Sequence, residues 1–131
     1  MTEAEAMAIE ALTGLSDQIV NYAGLWVSAT FAFLTLAYFV GSRLSRFQCG
    51  VLSVFYGAFA ALAASSCVAY IDLFYRLRAR VETVFDESPW TPKSGFDVYG
   101  HGTAFYMFGG ILLALYFLHN VRQTDQAVNR G

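Results

Sequence analysis

Phe47–Ile71 reads FQCGVLSVFYGAFAALAASSCVAYI, 25 residues without a single Asp, Glu, Lys or Arg. At 1.5 Å per residue a helix of that length reaches across a hydrocarbon core of about 30 Å. Working outward from it, the chain repeats the feature twice. Gln18–Ser42 is a second charge-free window of 25 residues and Val98–Val121 a third of 24. A soluble domain of 131 residues seldom removes charge so completely three times, so the pattern predicts an all-α integral membrane protein. It has three transmembrane helices in a small bundle, near 19–41, 50–72 and 98–120.

Composition agrees. Only 14% of residues are charged against 56% hydrophobic, whereas a soluble domain carries roughly a quarter charged residues. The deficit lies inside the three windows, which leaves little chain for a separate soluble domain. A single membrane domain spanning 1–131 is expected. The net charge of −2 is too small to suggest a nucleic acid or an anionic partner, and no polybasic tract of the kind that recruits acidic lipids occurs.

Residues 1–17 are acidic, with Glu3, Glu5, Glu10 and Asp17 and no Lys or Arg before Arg43. The basic region of a signal peptide is missing, so the first span is expected to persist in the mature protein. Ala4, Met7, Ala8, Ala11, Leu12 and Leu15 recur at helical spacing and predict a short amphipathic surface helix. Gly14 would stop it, and Ser16 or Asp17 would cap the next helix. After the second span, residues 73–86 keep a helical pattern with Arg78 and Glu82 four apart. Two prolines, Pro89 and Pro92, mark a loop over 87–97, where Trp90 suits the headgroup level. Residues 121–131 form a polar tail.

Lipid offers helices no hydrophobic reason to associate, so small residues that permit close approach and groups that hydrogen-bond identify packing faces. In span one Asn21, Ser28 and Thr35 recur every seven residues with Gly24 beside them. In span two Gly57, Ala61, Ser65 and Ala69 form a ladder at four-residue spacing. In span three Gly102 and Gly109 share a line with Tyr116, beside Tyr99, Tyr106, Leu113 and Asn120. These three stripes are the expected helix-packing faces, and the third is expected to meet spans one and two.

Chemistry-bearing motifs are scarce. Asp72 closes the second window and is the one candidate for ion or proton handling, but Arg76 stands four residues on, the spacing of an ordinary helical ion pair. His101 and His119 are about 27 Å apart along one helix, too far to ligate one metal or haem together. Cys49 and Cys67 share a helix 18 residues apart and cannot bridge. No catalytic triad, CxxC or phosphate loop occurs, so no enzyme and no cofactor are expected.

Basic residues divide evenly. An outside N-terminus places Arg43, Arg46, Arg122 and Arg130 inside and Arg76, Arg78, Arg80 and Lys93 outside. The first span breaks the tie, because its only basic flank is Arg43 and Arg46. N-out, C-in in a bacterial inner membrane is the expected placement. The functional expectation is a nonenzymatic subunit of a membrane complex or homo-oligomer, whose partners are the lipid bilayer and other membrane subunits or copies of itself. A small oligomeric channel or transporter is the alternative.

Overall fold

A computed structural model describes residues 2–82 and 95–128. Its elements are α1 (Glu3–Val40), a 3-10 turn at Gly41–Arg43, α2 (Arg46–Glu82) and α3 (Gly95–Val128). No strand occurs among the described residues. All three helices are long and apolar enough to cross a membrane. The all-α reading with three spanning helices stands.

The starts of α1 and α2 have local causes. Thr2 caps α1: its side chain accepts from the Glu5 backbone while Glu5 accepts from the Thr2 backbone, a reciprocal capping box. Ser45 repeats the device ahead of α2. Its Oγ accepts from the Gln48 N–H at 3.2 Å and the Gln48 Oε1 accepts from the Ser45 N–H at 3.0 Å. Between them the turn ends in extended backbone at Leu44, with φ −72° and ψ 135°.

The N-terminal segment differs from expectation. There is no separate surface helix over 1–17: α1 runs unbroken through Gly14, Ser16 and Asp17 for 38 residues, about 57 Å. Glycine inside a helix costs only about 1 kcal/mol relative to alanine, and continuing keeps every backbone bond made. Residues 3–17 therefore extend the first spanning helix beyond the charge-free window, with Met7 and Ile9 exposed. The predicted extension after span two is helical as far as Glu82; its last residues, 83–86, and the loop residues 87–94, Trp90 among them, lie outside the described residues. Gly95–Asp97, expected in the loop, already belong to α3, which also carries the polar segment on to Val128.

The chain runs up, down and up, so α1 and α3 are parallel and α2 is antiparallel to both. The core lies between them. Trp26, Phe33 and Ala37 of α1 meet Tyr56, Ala60, Ala64, Cys67 and Ile71 of α2 and Met107, Ile111, Ala114 and Leu118 of α3. These positions recur every three to four residues, the spacing of one helix face. No polar or charged side chain is buried among the described residues. Large apolar side chains cover the outside instead: Phe31 is 72% exposed, Phe55 73% and Phe105 84%. Soluble monomers rarely expose so much apolar surface, so the exterior is suited to lipid.

Candidate functional site

The two faces of α1 are built differently. Against α2 it forms a sealed seam. Phe33 stacks on Tyr56 with centroids 4.0 Å apart and Tyr22 on Tyr70 at 5.4 Å. The Thr30 and Tyr56 hydroxyls share a hydrogen bond of 3.0 Å, and the Cys67 thiol donates to the Ile19 carbonyl at 3.8 Å. Opposite the rings α2 offers small side chains, with Ala60 and Ala64 wholly buried. Small residues let the backbones approach, and the aromatic rings fill the space between them.

Against α3 the same helix leaves a groove of about 860 Å³. Its floor is Trp26 lying against Gly110: a Cβ added at Gly110 would sit 2.8 Å from two indole carbons. Tyr106 flanks the indole, centroids 5.8 Å apart and tilted by 53°. One wall is Val27, Phe31 and Leu34 of α1; the other is Leu113 and Phe117 of α3, with Tyr116 and Asn120 toward the end near the Gly41 turn. That end is closed by Leu118 and Val121, whose side chains come within 3.3 and 3.7 Å of where a Gly41 Cβ would be. Gly41 therefore permits α3 to sit tightly against the turn after α1. The Trp26 indole N–H is enclosed and meets no acceptor among the described residues.

The predicted packing stripes fall elsewhere. Asn21, Gly24, Ser28 and Thr35 are all exposed, on the side of α1 opposite Trp26, Phe33 and Ala37. A Cβ at Gly24 would meet nothing within 4 Å, and the Thr35 hydroxyl donates to the Phe31 carbonyl of its own helix at 2.8 Å. Within the chain this stripe lies on the outer face of α1, and aromatic and aliphatic side chains make the contacts with α2 and α3. The ladder of α2 is displaced rather than reversed. Gly57 and Ala61 are half-buried beside the core, but Ser65 and Ala69 are exposed. Four residues turn a helix by about 400°, so such a ladder precesses some 40° per step and leaves any straight interface. The buried seam is its neighbour, Ala60, Ala64, Cys67 and Ile71.

In α3 the outcome divides. Gly102 is exposed in open space, so it meets neither span one nor span two. Gly109 lines the groove without closing it, since a Cβ there would meet nothing within 4 Å. The contact glycine is Gly110, one residue outside the expected stripe. Its tandem position beside Gly109 was the one available signal, and nothing in the sequence says which of the pair meets α1.

Asp72 stands where its spacing placed it. Its carboxylate pairs with Arg76 at 2.9 Å, with Arg76 74% and Asp72 32% exposed. His119 bonds Gln123 at 2.8 Å. No three His, Cys, Asp or Glu side chains gather to hold a metal among the described residues. Asp72 and His119 are thus engaged with neighbours on their own helices, and the groove and the outward stripe of α1 are two features left open. No protein-family model, no curated protein and no solved structure matches this chain.

Proposed function

We propose that the chain is a nonenzymatic subunit of a larger membrane assembly, a complex or a homo-oligomer, in a bacterial inner membrane with its N-terminus outside. The observation that carries this reading is the outward stripe of α1. Gly24, Ser28 and Thr35 stand exposed on a face that the chain's own core does not use, and a small-residue face in lipid is suited to another helix. The core is in keeping with a packing role, since it buries no Asp, Glu, His, Lys or Arg among the described residues.

The channel alternative draws no support from the core, which buries no polar side chain among the described residues, nor from Asp72, which is engaged with Arg76. The purified protein in liposomes is expected to conduct no ions, and Asp72→Asn to change nothing. The deciding experiment is size and cross-linking in native lipid nanodiscs. An assembly larger than one chain that Gly24→Leu and Ser28→Leu dissociate, with helicity unchanged, is the expected result. A monomer in the native membrane with no co-purifying protein would sink the proposal.

A further inference from the structure

The groove between α1 and α3 is independent of the outward stripe, and we infer that it is a binding site for an acyl chain of an anionic phospholipid. The geometry argues for a chain rather than a helix. The cleft is narrow, with Trp26 already in contact with Gly110 across its floor, whereas a helix with its side chains is about 10–12 Å wide. Its volume of about 860 Å³ lies within the range of about 300–1,000 Å³ usual for small-ligand sites. On α3 it runs from Phe105 to Asn120, about 22 Å of helix, long enough for one leaflet's chain, since half the hydrocarbon core is about 15 Å.

Charge supplies the headgroup. At the Asn120 end the chain carries Arg43, Arg46 and Arg122 against a single acid, Asp125. None of the three arginines is held in an ion pair among the described residues. The opposite boundary has at least as many basic residues, Arg76, Arg78, Arg80 and Lys93, but nine acids beside them, Glu3, Glu5, Glu10, Asp17, Asp72, Glu82, Asp86, Glu87 and Asp97, and Arg76 is paired with Asp72. An anionic headgroup is therefore favoured at the first boundary and disfavoured at the second, which fixes the direction of the lipid. Its phosphate lies at the level of the Gly41 turn and its chain extends toward Trp26. The general attraction of basic residues to anionic lipid supplies affinity, and the groove supplies a fixed place.

Trp26 is its own reporter. The chain has two tryptophans, so Trp90→Phe leaves one indole at the groove floor, 5% exposed and shielded from lipid that only passes by. The probe is a brominated phospholipid, anionic or neutral, titrated into neutral nanodiscs; bromine quenches on contact. The expected result is quenching that saturates at a low mole fraction of anionic bromolipid and rises only in proportion for the neutral one. Gly109→Leu, at a groove-lining position where an added Cβ meets nothing within 4 Å, should remove the saturable part with circular dichroism unchanged. Arg122→Gln should move the half-point about five-fold higher. Curves that are alike for both headgroups, or unaffected by Gly109→Leu, overturn the site. So does an unquenched Trp26 in a protein that cross-links through Leu113→Cys, because a second copy would then cover the groove.

Discussion

α1 presents a sealed seam to α2 and an open groove to α3, although all three helices are comparably apolar. The difference lies in how side-chain sizes alternate across each contact. Along the seam the rings of Phe33 and Tyr22 find Tyr56 and Tyr70, and Ala60 and Ala64 leave room for close approach. Along the groove α3 places two glycines at the level of Trp26, then returns to bulky side chains that point past α1, with Phe105 and Leu113 84% and 70% exposed. Close packing in a membrane depends on shape rather than on hydrophobicity, because lipid is as apolar as the protein surface. Where shapes interlock the interface is dry; where they diverge the gap opens to the lipid.

That contrast is breakable at its strongest point. Ala60→Leu or Ala64→Leu inserts bulk where no space exists, and overpacking costs about 1–3 kcal/mol. Titration with SDS from mild detergent should show both variants unfolding early, whereas Gly109→Leu should unfold like the parent. Equal loss at all three positions would mean that the groove is closed in solution.

Gly110→Ala sharpens the comparison within the groove. Its Cβ would press on the Trp26 ring, so the indole must move. We expect destabilisation of about 1 kcal/mol, recovered in part by Trp26→Phe. A double-mutant cycle should report a coupling of at least ~0.5 kcal/mol, the lower end for residues in contact. An additive pair would show that the two residues do not touch.

Smaller effects lie in the polar pairs. Tyr56→Phe deletes the one hydroxyl pair that crosses the seam among the described residues, and interhelical hydrogen bonds in membranes average about 0.6 kcal/mol. A loss well beyond ~2 kcal/mol in the same titration would place the seam's stability in that bond rather than in ring packing. Smallest of all is Asp72→Asn, since exposed ion pairs contribute ~0 to 1 kcal/mol. Its unfolding curve should overlay the parent's within error, and a large shift would give Asp72 a partner other than Arg76.

The sequence was informative in proportion to how local the physics is. The three spans, the helical continuation after Ile71 and the Asp72–Arg76 pair all follow from charge and spacing along one helix. The Ser45–Gln48 capping box is equally local, since its Ser-x-x-Gln spacing is written in the residue types. Gly14 misled because a glycine ends a helix only when the following chain has reason to turn, and here the continuing helix keeps its backbone bonds.

Packing faces were not legible in this way. Span two contains two parallel small-residue lines, Gly57–Ala61–Ser65 and Ala60–Ala64, one residue out of phase and therefore about 100° apart around the helix. Both satisfy the same rule for close approach. Ala60–Ala64 lies in the core with Trp26, Phe33 and Ala37 of α1, beside the stacked Phe33–Tyr56 rings, a property of two helices together. The same holds for Gly109 and Gly110, alike in sequence until Trp26 is laid against one of them. Spanning length and lack of charge belong to each helix alone, so the sequence by itself determined an all-α chain with three helices able to cross a membrane. Which face turns inward, and where a gap remains, depends on the complementarity of side-chain shapes contributed by segments distant in the chain, and only the tertiary structure decided it.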